Sequence, residues 1–180
     1  MADETKGPPP KPSPPPDPLK AEVPSKPLER LRATFPGALQ DVTFHAGEAS
    51  VLVAIPELPA ILRFLRDDEE CRMDFLADLC GADYPDREER LEVVYHLYSV
   101  PHAHFLRLRV RVADGGEVPS ATDLWSTADW FEREVFDLLG VRFPDHPDLR
   151  RILMPEDWRG HPLRKDYPLA GFPDQHLRLR

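Results

Sequence analysis

The sequence predicts an α+β fold: a mixed or antiparallel sheet with packed helices in one domain, continued by a long extended carboxyl-terminal arm. Three observations carry that expectation. Residues 38 to 112 contain five short segments rich in apolar and β-branched side chains, bounded by turn residues. Two other stretches, ELPAILRFLRD and STADWFEREVFDLLG, repeat apolar residues at helical spacing. Past Phe143, prolines at 144, 147, 155, 162, 168 and 173 interrupt every candidate element.

The first 27 residues hold ten of the 22 prolines, no aromatic residue and balanced charge. Such a segment buries too little apolar surface to offset its ordering entropy, so residues 1 to 27 read as a disordered proline-rich tail. A short helix, LERLRATF, closes at Pro36-Gly37. ALQDVTFH and SVLVAI follow as strands joined across Gly47-Glu48, where a leading glycine suits a tight hairpin. In ELPAILRFLRD, Leu58, Ile61, Leu62 and Leu65 share one face, and the acidic run Asp67 to Glu70 reads as a solvated loop.

Three further strands are MDFLADLCGADYP, LEVVYHLYSV and HFLRLRVRV. In the last, Leu106, Leu108, Val110 and Val112 alternate with Arg107, Arg109 and Arg111, giving one apolar face and one arginine ladder. With the loop near Pro101-His102, Glu92 falls opposite Arg111 and His96 opposite Arg107. A second helical region begins at ATDLW and restarts at Ser126, which with Asp129 resembles a capping arrangement; Gly140 is placed to end it. Phe131, Val135, Leu138 and Leu139 form its apolar stripe, flanked by Glu132 and Glu134, with Arg133 on the opposite face between Asp129 and Asp137. The domain thus spans residues 28 to 143. Residues 144 to 180 form an arm that contains Ile152, Leu153, Met154, Trp158, Leu163, Tyr167 and Phe172, too apolar for a solvated tail, so it docks on something.

Charge and cysteine usage exclude several functions. A net charge of −9 opposes general binding to nucleic acid or anionic membrane. Residues 28 to 143 carry 12 arginines against 22 acids, whereas the arm carries seven bases and six acids. Cys71 and Cys80 are the only cysteines and cannot complete a zinc or iron–sulfur set from thiolates. His102 and His104 share a strand face but lack a third ligand. There is no basic-then-apolar leader and no apolar run near 18 residues, so the chain reads as cytoplasmic or peripheral. No glycine-rich loop, metalloprotease motif or nucleophile elbow is present; Glu132, Glu134, Asp137 and His146 or His161 could supply general acid and base, and a stand-alone acid–base enzyme would use Glu134 and His146. Docking fits better, and GHPLRKDYP, residues 160 to 168, reads as a rigid clasp. Lys165 within it is the only lysine in residues 28 to 180, against 18 arginines.

The run WFEREVFDLLGVRFPDHPDLRRILMPEDWRGHPLRKDYP, residues 130 to 168, resembles the signature of the 30-kDa subunit family of respiratory complex I, the bacterial NADH-quinone oxidoreductase. Weaker similarity covers DFLADLCGADYPDREERLEVVYHLYS, with its aspartate-tyrosine-proline turn. The resemblance implies a subunit of the hydrophilic arm of a proton-pumping NADH:quinone oxidoreductase, peripheral on the cytoplasmic face of the cell membrane. It implies that this chain binds no cofactor, the FMN, iron–sulfur clusters and quinone being held elsewhere in the complex. The implied partners are the large 49-kDa-type subunit, which helps build the quinone site, and the small cluster-bearing subunit. Glu132, Arg133, Glu134 and Asp137 would fix the helix against arm and partner, Arg133 through intrahelical pairs. Arg150, Arg151, Arg164, Lys165 and Asp166 would make charge-assisted bonds that set register, and Trp158, Leu163 and Tyr167 would be apolar anchors. Related modules occur in membrane-bound hydrogenases and formate hydrogenlyases, the alternative machine.

Overall fold

A computed structural model describes residues 17–172; the expectations for residues 1–16 and 173–180 lie outside it. Three helices, α1 (Lys26–Thr34), α2 (Leu58–Asp67) and α3 (Ala128–Leu139), accompany five strands. The strands are β1 (Leu39–His45), β2 (Glu48–Val53), β3 (Phe75–Asp83), β4 (Leu91–Ser99) and β5 (His104–Val112). They form one sheet in the order β1-β2-β5-β4-β3. The β2/β5 pair is parallel and the other three are antiparallel, which makes the sheet mixed and the fold α+β. No described helix is long and apolar enough to cross a membrane.

Periodicity explains the layers. Along β5 the residues Leu106, Leu108, Val110 and Val112 are buried, as are Leu91, Val93, Tyr95 and Leu97 of β4, and together they form the floor on which the helices pack. Leu58, Ile61, Leu62 and Leu65 bury the inner face of α2, each contributing roughly 1.5–3 kcal/mol of transfer free energy. Helix α3 lies on β3 at Gly81, where a Cβ would come within 2.3 Å of Leu139 Cδ1 and 3.3 Å of Val135 Cγ1. Only a glycine permits that approach.

The opposite face of the sheet carries the arginine ladder in the expected register, Glu92 opposite Arg111 and His96 opposite Arg107. Arg107 pairs with Glu48 at 2.9 Å and Arg109 with Asp41 at 3.2 Å. Arg111 lies 3.9 Å from Glu92, which takes Arg87 at 3.0 Å.

Four local expectations change. The hairpin turns at Ala46-Gly47, both left-handed (φ 51° and 85°), a geometry whose twist matches the flanking strands, so glycine follows rather than leads. Helix α1 starts at Lys26, two residues before the LERLRATF stretch, and Leu19 O accepts Ala46 N–H at 2.8 Å. ATDLW folds as turns rather than helix, and the residue before α3 is Thr127, whose hydroxyl bonds Leu76 O instead of capping; Ser126 makes no cap. The acidic run is not wholly solvated either: Asp68 accepts the N–H groups of Glu70 and Cys71 and pairs with Arg30, closing the turn after α2.

Candidate functional site: the arm on helix α3

Helix α3 is covered on two sides, by the sheet and by the arm, and this revises its polar residues most. Glu132 and Asp137 are fully buried and Arg133 is 6 % exposed, so both the edge of the stripe and the face opposite it are enclosed. Arg133 stands 3.9 Å from Asp129, stacks over Trp130 and donates Nε–H to Arg150 O at 3.4 Å. A helical wheel assumes one solvated side, and the returning arm removes it.

Asp137 organises that return. Its Oδ2 accepts three successive backbone N–H groups, from Ile152, Leu153 and Met154, at 3.1, 2.8 and 2.9 Å. Its Oδ1 takes Arg151 Nη1 at 2.6 Å. Burial pushes the Asp137 carboxyl up, but the Met154 and Leu153 N–H groups, the Arg151 guanidinium and the Ile152 N–H outweigh it and hold the group below the ordinary carboxylate range.

The carbonyls at the end of α3, which have no partner inside the helix, are met by the same arm. His161 Nδ1 stands 2.9 Å from Asp137 O, Leu163 donates to Leu138 O at 3.0 Å, and Arg164 Nε donates to Leu139 O at 2.6 Å. Cations at this end also suit the helix dipole. Gly140 ends the helix with φ 79°, and a Cβ there would fall 2.6 Å from His161 Nε2 and 2.9 Å from Arg164 Nη2. Both the backbone and the space demand glycine.

A second fastening lies at the open end of β3. Arg90 donates Nε–H and Nη2–H to the two oxygens of Asp83 at 2.8 and 2.6 Å, and also pairs with Asp166 at 2.9 Å. Lys165 N–H donates to Asp83 Oδ2 at 2.7 Å. Arg90, and after it burial and Lys165 N–H, set the Asp83 carboxyl, with the net direction downward. The two Asp-Tyr-Pro triplets, 83–85 and 166–168, therefore converge on one arginine. Sequence reasoning missed Asp83 and Arg90 as partners of the clasp, although that repeated triplet was a usable signal.

The arm's remaining residues divide into inward and outward groups. Tyr167 packs edge-on against Phe172 and beside Gly160, and Trp158 is partly buried. Arg164 also reaches Asp114 at 2.6 Å. Outward-facing are Glu134, Arg150 and Lys165, whose backbone is pinned while its ammonium is exposed. Trp130, Leu153, Leu163 and Leu169 leave more than half of their surface exposed. His146 is turned to Asp129, 3.1 Å from its carbonyl oxygen, and Glu134 lies five residues further along the helix. Cys71 is buried and Cys80 exposed, and both thiols are free.

What the fold and arm define is an α+β protein: a mixed-sheet domain that fastens residues 144–172 along helix α3 and leaves apolar side chains on the outside. Residues 51–173 match the family described as the respiratory-chain NADH dehydrogenase, 30 Kd subunit. The chain is 48% identical over 141 residues to the C subunit of the NADH-quinone oxidoreductase of Hyphomonas neptunium, covering 78% of this chain and 70% of that one. It is 52% identical over 145 residues to the corresponding C subunit of Roseiflexus castenholzii, covering 80% and 83%. The fold matches a chain in the solved structure of the membrane-bound sulfane sulfur reductase, an archaeal respiratory membrane complex, with TM-score 0.68 at 21% identity over 79% of this chain and 84% of that one. The chain belongs to the family of the 30-kDa subunit of respiratory-chain NADH dehydrogenase.

Proposed function

We propose that this chain is a non-catalytic subunit of the hydrophilic arm of a proton-pumping NADH:quinone oxidoreductase, docking to and stabilising the large quinone-site subunit. The observation that carries the reading is the division of labour in the arm. Asp137, Arg151, Arg164, Asp83 and Arg90 hold it rigid from within, while Leu153, Leu163, Leu169 and Trp130 remain outside. A segment ordered before binding loses little entropy on association, and exposed aromatic and aliphatic anchors suit an interface core. The partners are the large 49-kDa-type subunit and the small cluster-bearing subunit, on the cytoplasmic face of the membrane. FMN, clusters and quinone belong to other subunits, and the isolated chain turns over no substrate.

Lys165 is the outward charge of the clasp. Its backbone is fixed by Asp83 and its side chain is exposed, so a partner carboxylate meets a pre-placed ammonium. Lys165→Ala would weaken association by roughly 2–5 kcal/mol if it strands that carboxylate in the interface. The test is a pull-down from gently solubilised membranes with the tag on the amino terminus. Wild type is expected to recover flavin, iron–sulfur absorbance and NADH-dependent quinone reduction, and Lys165→Ala much less of each. A nickel-containing assembly would move the chain to a hydrogenase, and recovery of the wild-type chain alone would overturn docking.

A further inference from the structure

We propose that Asp78, Cys80 and His96 form a binding site for a zinc-class divalent transition-metal ion on the helix-free face of the sheet. One ligand atom from each lies within 4.8 Å of the other two. A tetrahedral ion with bonds of about 2.0–2.3 Å holds its ligand atoms roughly 3.3–3.8 Å apart, so side-chain rotation of about an ångström closes the set. Backbone movement is unnecessary.

The placement follows from an irregularity in β3. The ladder with β4 shifts between Leu76 and Asp78, leaving Ala77 without a partner residue. The bulge lets Leu76 and Leu79, three apart, both enter the core, and it turns Asp78 and Cys80 together to the other face. Asp78 then pairs directly with His96 across the ladder, and Cys80 pairs with Val94, two residues from His96 on the same strand. Asp78 nonetheless acts on His96 through charge alone, without a direct bond. Asp78 shares a side-chain hydrogen bond with the Cys80 thiol, so all three donors already converge on one space, and metal binding replaces that bond.

The donor types select the ion. A thiolate and an imidazole are poor ligands for magnesium or calcium, which take oxygen, whereas one sulfur, one nitrogen and one carboxylate oxygen suit zinc and cobalt. Burial first, and then Asp78, raise the Cys80 thiol; on binding, the Sγ–metal bond forms as the thiol proton leaves to buffer. One aspartate and one thiolate neutralise a divalent ion, and the nearby Arg107 is already engaged by Glu48 at 2.9 Å. With three protein ligands, the fourth position faces solvent and takes water.

Cobalt titrated into the purified full-length chain distinguishes this site from any other. Wild type is expected to show a thiolate-to-cobalt charge-transfer band, bleached by zinc, and a melting temperature raised by zinc. Cys80→Ser abolishes the band and the zinc-induced rise, while Asp78→Asn and His96→Gln weaken zinc at least about tenfold with an unchanged circular-dichroism spectrum. His102→Gln keeps the band, which separates this site from the stacked His102–His104 pair. Absence of a sulfur band in wild type, its survival in Cys80→Ser, or unchanged zinc affinity in His96→Gln would overturn the proposal.

Discussion

Two carboxylates on the same helix, Glu132 and Asp137, are both fully buried, yet their environments push them in opposite directions. Asp137 accepts three backbone N–H groups and a guanidinium, and stays ionised. Glu132 accepts one N–H, from Ala121 at 2.6 Å, and one hydroxyl, from Ser120 at 2.7 Å. Burial therefore wins and raises Glu132 to about 7, against the smaller pull of Ala121 and Ser120. The lesson is that burial alone does not set charge; the number and charge of donors brought to the oxygen atoms do. The carboxyl-terminal end of α3 is held by an ion, and its amino-terminal half by a group poised between charge states.

The comparison breaks most visibly at Asp137. Asp137→Ala leaves Arg151 and three N–H groups without their acceptor and is expected to cost roughly 3–5 kcal/mol, read by denaturant unfolding. Limited proteolysis should show the arm cut first. Because its folded pKa lies below the ordinary 3.8, the contribution of Asp137 is complete above that value and is lost as pH falls through the lower folded value. Replacement should therefore flatten the acid limb of the stability profile.

Glu132 should behave with the opposite sign. Its folded pKa of about 7 exceeds the ordinary 4.5, so between these values the native state holds a proton that the unfolded chain has released. Stability then falls as pH rises through that window, by about 1–3 kcal/mol. Glu132→Gln keeps the shape and both hydrogen-bond positions and is expected to remove that slope, leaving the variant more stable than wild type at pH 8. A slope unchanged in the variant would refute the contrast.

The smallest effect is expected at the second fastening. Asp166 is 63 % exposed at its side chain, where water and salt screen its pair with Arg90. Asp166→Asn should cost about 0.2–1 kcal/mol, less at high salt, with Asp83 retaining Arg90. A loss as large as that at Asp137 would mean that burial was not what separated the two fastenings.

Much of the scaffold was legible. The period-two pattern of β5 placed Glu92 opposite Arg111 and His96 opposite Arg107, because side chains in a strand alternate and an antiparallel neighbour must match them. The face of α2 and the stop at Gly140 were readable for the same local reason. Ser126 misled because a cap depends on where the hydroxyl finds its acceptor, and the neighbouring Thr127 hydroxyl goes to Leu76 on β3. The burial of Arg133 was not readable, because polarity on a wheel stands for exposure only when nothing packs over it.

The sequence by itself determined the strands, the helices, the register of the ladder and the family, since each is written in residues near one another or in a long matching run. Only the tertiary structure decided that Glu132 and Asp137 lie inside, that Asp83 and Arg90 receive the clasp, and that Asp78, Cys80 and His96 meet. The bonds of Glu132, of Asp137 and of the clasp to Asp83 and Arg90 join residues 11 to 82 positions apart, and His96 lies 16 and 18 positions from Cys80 and Asp78. Their energies depend on which donors the folded chain brings within three ångströms, and local periodicity carries no information about that distance.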